Sequence, residues 1–379
     1  MILKFKKPKI PIILKHSHLH YQIALTLLEG VGPVKAKEII NSYNSLEDFF
    51  TLKPIQLAKQ SGYSKSFLSK INRSTALKKS ETIVENIGKN KLQTIFIKDD
   101  NYPHRLKNCD DSPILLYKKG GVDLNPPKTI AIVGTRNATQ YGKDIVDQLI
   151  KSFAGENIVI VSGLAYGIDA AVHRACLKYD IPTLGVLGNG LDRVYPAMHR
   201  ELAQKMLKNG GLLSEFIPGT IPDRENFPKR NRIVAGITDA TIVIESKKRG
   251  GSLITANLAN DYNRDVFAYP GSVHMETSQG CNLLIAQQKA HLIQNPEDFK
   301  RLMGWNDQEV KPPAQRQLFH DLSEQQQIII KHISCTSKIQ VDILSVKAQL
   351  PISILNQELF TLEMNGLVRC FPGKLYAIA

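Results

Sequence analysis

The sequence predicts an α/β protein built around a doubly wound parallel sheet, and three features of its middle section carry that prediction. Between Thr129 and Leu292, short β-branched runs alternate with helical stretches, the pattern of parallel strands joined by crossover helices. The runs are near-continuously apolar, as strands covered on both faces must be. Nearly every run ends in glycine or a small hydroxyl residue, at the edge where Rossmann-like sheets bind their ligands. The strands expected are 129–133, 158–161, 183–187, 212–214, 240–245 and 265–269, with 92–97 and 114–117 adding a strand or two ahead of the main sheet.

At 379 residues the chain exceeds what one core sustains, because single cores stop growing near about 250 residues. The expected division is a helical helix-hairpin-helix/SAM-like domain over 1–85, a Rossmann-like domain over 86–303 with its core at 128–295, a linker over 304–318 that includes Pro312 and Pro313, and a winged-helix domain over 319–379. Five scattered cysteines form no CxxC or Cys/His cluster suited to zinc, so neither a metal nor another cofactor is expected. The basic N-terminal stretch is interrupted by Pro11 and too short for a signal sequence, and no run approaches the roughly 20 apolar residues of a membrane span. A cytoplasmic protein with no membrane contact is the expectation.

A net charge of +14 favours a polyanionic partner. Its distribution is uneven: residues 1–85 carry +8, residues 319–379 carry none, and the middle carries the rest. In the first section Leu27 to Ala36 reads as helix, glycine turn, helix, with Gly30 and Gly32 allowing free N–H groups to face a phosphate. Residues 57–66 echo it weakly, with Gly62 matched to Gly32 and Lys65 to Lys35. In the last section Ser323 is a helix N-cap, helices follow near 324–333, 341–344 and 352–364, and a hairpin closes the chain, which is a winged-helix outline. The helix at 352–364, in the position that would read DNA, holds Glu358 and Glu363 but no Lys or Arg, whereas a major-groove reader needs cations. A protein contact or a purely stabilising role is expected of it.

The strand ends of the middle section decide function. They read Val133-Gly134-Thr135-Arg136, Ser162-Gly163-Leu164-Ala165-Tyr166-Gly167, Gly188-Asn189-Gly190 and Pro270-Gly271-Ser272. Glycines there would let anions approach the backbone at helix N-termini, giving an anion-binding floor. Arg224, Lys229, Arg230, Arg232 and the run Lys247-Lys248-Arg249 would ring that floor, more cations than one small phosphate ligand needs. Tyr141, Tyr166, Tyr195 and Phe227 lie among them in sequence, and cations interleaved with aromatic faces suit single-stranded nucleic acid. No GxGxxG follows the first strand, Ser162 ends the second where a ribose-binding acid would stand, and no Walker motif is present. Asp169 and His173, four apart on one helix, are expected to brace a turn rather than to catalyse, and Glu215 and Glu245 to brace basic residues.

The ordered blocks VGTRNATQYG, SGLAYGIDAAVHRACL, GVLGNGLDRVYP, SEFIPG, FPKRNRIVAG and GGSLITANLA, then YPGS with GCNLLI, closely resemble the DprA/Smf family of DNA-processing proteins over residues 90–295. The flanking helix-hairpin-helix and winged-helix sections are also features of that family. The resemblance implies a non-enzymatic protein that binds single-stranded DNA in natural transformation, protects it, helps load the RecA recombinase, and pairs as a homodimer through the Rossmann domain. By position it makes Arg136 the main phosphate-binding arginine and sets Arg224 beside a base-stacking Phe227. Backbone amides around Ser162-Gly163 and the run Lys229, Arg230, Asn231, Arg232 complete the implied pocket, with Gly134, Thr135 and Gly188 at its strand ends. Arg249 and the pair Lys289-Ala290 depart from the common pattern and bear on local groove shape. Two other readings stand beside this one. A Rossmann-like nucleotide phosphoribohydrolase would carry a PGGxGTxxE motif, which is absent, and a winged-helix duplex-DNA regulator is disfavoured by the acidic helix.

Overall fold

A computed structural model describes residues 18–305 and 322–379. The N-terminal basic stretch and residues 306–318 of the expected linker lie outside the described residues. Two compact units result, one ending at Lys89 and the other beginning at Asn90.

The first unit is helical: α1 (His18–Thr26), α2 (Pro33–Ser42), α3 (Leu46–Thr51), α4 (Pro54–Gln60), α5 (Lys65–Lys70) and α6 (Arg73–Lys89). Gly30, at φ +75°, makes the turn between α1 and α2, a conformation that residues with a Cβ rarely adopt. Gly32 is the N-cap of α2 and Pro33 occupies its first position, where a missing N–H costs nothing. The echo between α4 and α5 runs in a different register from the one expected. Ser64, not Gly62, caps α5 by accepting from Phe67 N, so Lys65 opens that helix whereas Lys35 sits two residues inside α2. The hydroxyl satisfies a first-turn N–H of α5, whereas Gly32 makes no side-chain cap bond to α2.

In the second unit β1 (Gln93–Phe96), α7 (His104–Lys107) and β2 (Leu115–Gly120) precede the main sheet. Then come β3 (Lys128–Val133), α8 (Gln140–Lys151), β4 (Ile158–Ser162), α9 (Ile168–Lys178), β5 (Thr183–Val186), α10 (Arg200–Met206), β6 (Gly211–Ser214) and α11 (Asn226–Gly236). The series continues through β7 (Ala240–Val243), α12 (Gly251–Asp261), β8 (Asp265–Ala268), α13 (Gln279–Ala286), β9 (His291–Leu292) and α14 (Pro296–Leu302). The strand order is β1-β2-β6-β5-β4-β3-β7-β8-β9, with β3 to β9 mutually parallel and the first two strands antiparallel at one edge. This is the doubly wound Rossmann-like sheet that the sequence predicts, and its order reverses between β3 and β7. The short strand β9 was not among the expected ones; both its residues are exposed, so it carries no apolar signal. Ile130, Ile132, Ile160 and Ile242 from the central strands pack with Val146 and Leu149 of α8 and Val172 of α9 into the main core.

The chain ends in α15 (Glu324–Ser334), β10 (Ile339–Gln340), α16 (Val341–Ala348), α17 (Ile352–Met364), β11 (Val368–Phe371) and β12 (Leu375–Ile378), a winged helix with its own core around Ile333, Leu344, Leu355 and Leu359. Ser323 caps α15 in a reciprocal pair with Gln326. The module docks on the edge where the parallel strands begin. Asp239, just before β7, accepts from Arg105 Nε at 2.7 Å, from the backbone of Thr129 at 2.8 Å, and from the side chain of Gln340. Arg264, just before β8, forms a buried ion pair with Asp342, which also accepts from Asn108 at 2.7 Å. Removing one partner of such a pair strands a charge away from water. Asp342→Ala is therefore expected to lower unfolding stability by about 3 to 5 kcal/mol, read from urea denaturation.

Candidate nucleic-acid interface

The site begins with two loops that press together at the opposite, carboxyl edge of the sheet. The loop after β3 lies on the start of α9, with Ile168 N donating to Thr135 O at 3.1 Å. A side chain at Gly167, which has φ +75°, would strike the backbone of Thr135 and Arg136, and one at Gly134 would strike Ile168. These glycines serve loop packing, and the same holds at Gly163, where a Cβ would meet the Arg230 guanidinium and the Asp169 carboxylate. The expectation that the glycines leave room for an anion is corrected: protein atoms fill the space.

What the packing presents is Arg136. Its guanidinium stands over the Phe227 ring at 5.4 Å, Tyr195 lies 6.0 Å from the same ring, and Gly188 backs it closely. Arg136, Tyr166, Gly188, Tyr195, Phe227 and Arg230 line one pocket beyond β3, β4 and β5. The pocket encloses about 20 Å³, room for about one water, so it is no preformed cup for a whole nucleotide. At Arg136 and Tyr166 it meets a larger open groove of about 600 Å³. Arg136 is exposed, whereas Arg230 is buried, donates to Val186 O, and keeps an Nε with no partner among the described residues. Arg264 Nε at the opposite edge is likewise buried without a partner among the described residues, so the accessible cation of this pocket is Arg136.

The remaining residues of the expected set are placed elsewhere or otherwise engaged. Ser162 donates its hydroxyl to Ile132 O and is fully buried. Arg232 pairs with Glu215 and approaches Asp111, which makes it a structural cation rather than a free one. Glu215 thus braces a basic residue as expected. Glu245 does not: it accepts from Thr139 N at 2.9 Å and Thr139 Oγ1 at 2.6 Å, holding the first turn of α8. Together with the Thr135 N to Glu245 O bond, that carboxylate closes the crevice between β3 and β7. The pocket consequently sits to one side of the point where the strand order reverses. Gly134 and Thr135 frame the pocket without lining it, Asn231 is half-buried, and Arg224 and Lys229 are exposed nearby in sequence on the approach to α11 and its first turn. Tyr141 lies apart, donating to Pro270 O, and Lys247 pairs with Glu276 beyond β7. Leu164 of the named strand-end run lines the pocket, as do Val186, Leu187 and Pro196, which as buried apolar residues carry no sign of a site in sequence.

Below the pocket, His173 is fully buried, with Nε2 at 2.5 Å from Gly163 O and Nδ1 at 2.7 Å from Thr183 Oγ1. A carbonyl only accepts, so Nε2 carries the proton and Nδ1 takes the hydroxyl hydrogen. Burial pushes its pKa down to about 4, and the ring is neutral. Burial also raises the Asp169 carboxyl, opposed by Arg230 beside it, and Asp169 accepts from Ala165 N at 3.3 Å. Each residue braces the Ser162 to Gly167 loop separately, His173 through Gly163 O and Asp169 through Ala165 N.

A Rossmann-like protein with a cation and aromatic pocket at its strand ends and a winged helix at the opposite edge is the class these features define. The sequence pattern described as DNA recombination-mediator protein A matches residues 93–304, and that of the DprA winged helix domain matches residues 311–374. The chain belongs to the DprA/Smf family of DNA-processing proteins. Protein Smf from Synechocystis is 36% identical over 71% of this chain and 69% of its own length, and DNA processing protein DprA from Bacillus subtilis is 42% identical over 58% and 75%. Among solved structures, DprA from Streptococcus pneumoniae is 34% identical with a TM-score of 0.55, covering 71% of this chain and 96% of that one. A structure of the Helicobacter pylori protein, described for its single-stranded DNA binding mode, is 30% identical with a TM-score of 0.51, over 55% and 94%.

Two outcomes test this geometry. Gly167→Ala is expected to lower the midpoint of thermal unfolding, because the added carbon strikes the backbone of Thr135 and Arg136 at a residue with positive φ. Since His173 binds a proton in the unfolded chain below its ordinary value of 6.5 but in the native protein only near 4, its contribution is intact above pH 6.5 and lost as pH falls towards 4. The loss is about 3 kcal/mol across that window, and His173→Gln should flatten this part of the pH dependence in thermal unfolding.

Proposed function

We propose that this protein binds single-stranded DNA non-enzymatically at the Arg136 pocket, protects incoming DNA in the cytoplasm, and helps load RecA recombinase onto it during natural transformation. One observation carries the reading: the exposed Arg136 and the buried Arg230 converge with three aromatic rings at one strand edge. Phosphate oxygens suit the two guanidinium groups, and bases suit the rings, at about 1 to 3 kcal/mol per stacked base. The Helicobacter pylori relative described for single-stranded DNA binding supports the same ligand. Gly134, Thr135 and the Ser162-Gly163 amides shape the pocket in this reading, while Arg224, Lys229 and Asn231 guide the strand towards Phe227.

The three-part division of the chain fits this role, with the turn before α2 adding sequence-independent phosphate contacts and a homodimer forming through the Rossmann domain. Duplex reading by the winged helix is disfavoured, since α17 exposes Ile354, Phe360 and Met364 and holds no cation. An apolar face of that kind suits a protein contact. Hydrolysis of a mononucleotide is disfavoured by the size of the enclosed pocket.

Arg136→Ala is expected to weaken binding of oligothymidine about 10- to 150-fold, the equivalent of about 1.5 to 3 kcal/mol for a charge-assisted contact, as measured by fluorescence anisotropy. Wild-type affinity should fall with salt at a logarithmic slope of about −0.7 per phosphate contacted. Undiminished binding by the folded variant would falsify the pocket assignment.

A further inference from the structure

The open groove that meets the pocket at Arg136 and Tyr166 runs between α8 and α9. Its floor is made of Ala138, Ala170, Ala171 and Ala175, side chains too short to fill it. Two exposed cations flank it, Lys143 from α8 and Arg174 from α9, and neither has an ion pair among the described residues. Further along, Lys178 is held by Asp147 at 2.9 Å, and Asp147 also accepts from the Tyr179 hydroxyl at 2.8 Å. That carboxylate is neutralised where it stands and marks the end of the free positive charge. Both helices begin at the pocket end, and Lys143 stands in the first turn of α8, where the positive dipole end adds to its charge. Met198, 69% exposed, and Tyr166, 44% exposed, supply apolar surface at the junction.

We infer that the groove between α8 and α9 is a second segment of the nucleic-acid path, in which Lys143 and Arg174 hold the phosphates of the strand leaving the Arg136 pocket. The inference rests on the single-strand reading of that pocket. Charge and shape point to a flexible polyanion: the groove is open and continuous with the pocket, and it has cations on both walls over an apolar floor. The eleven residues of α9 span about 16 Å, enough for up to about five nucleotides at the stacked spacing of about 3.4 Å. No one stretch of sequence announces the groove, because its two walls lie about 30 residues apart on separate helices.

The test compares the double variant Lys143→Ala/Arg174→Ala with Arg136→Ala and wild type, on oligothymidines of about two nucleotides, which do not extend past the pocket, and of about twenty, over a range of salt. Expected for the double variant is about a tenfold loss on the longer strand with a salt slope smaller by about 1.4, two contacts' worth, and no change on the shorter strand. Arg136→Ala should weaken both lengths. Wild-type affinity of the double variant for the longer strand overturns the groove, and so does an equal loss on both lengths, since the cations would then not act beyond the pocket. If Arg136→Ala binds both lengths normally, the pocket reading fails and the groove falls with it. Thermal unfolding of the double variant should match wild type, as for exposed substitutions generally.

Discussion

The contact on which the site depends is the one between the loop after β3 and the first turn of α9. Gly134 and Gly167 remove the side chains that would hold these segments apart, and the Ile168 N to Thr135 O bond ties them. Because α9 is packed into the main core through Ile168 and Val172, the loop inherits the rigidity of that core. Arg136 then has a defined position above Phe227 and needs little ordering when a ligand arrives. A cation carried on a free loop would pay that entropy at the moment of binding.

The two edges of the sheet divide the work. At the edge where the strands begin, Asp239 and Arg264 are buried and hold the winged helix through Gln340 and Asp342. At the edge where they end, charge is left accessible at Arg136, and only partly satisfied at Arg230. Arg264 and Arg230 each keep a buried Nε with no partner among the described residues, so what separates the two edges is the exposed guanidinium of Arg136. By accepting from the backbone and hydroxyl of Thr139, the N-cap of α8, Glu245 places a carboxylate where β3 and β7 end.

The glycines mark where strands end without making room for a ligand there. They cluster at the carboxyl edge of the sheet, but at Gly134, Gly163 and Gly167 the space is occupied by Ile168, Arg230, Asp169 and the loop backbone. The cations show the converse. Arg232 and Lys247 have the composition of ligand-binding residues and are spent on Glu215 and Glu276, partners brought close only by folding. Lys143 and Arg174, unremarkable in sequence, face one groove.

Strand positions, the winged-helix outline and the family were all legible in the chain itself, because each is written in local patterns: apolar runs, capping residues such as Ser323, and ordered motif blocks. Those patterns act over a few residues and survive without knowledge of what lies opposite. Which arginines remain free, which tyrosines gather round Phe227, and where the groove runs were settled only by the tertiary structure. Such properties depend on pairings between residues tens to hundreds of positions apart, such as Arg136 with Phe227 and Arg264 with Asp342, and no local pattern records them.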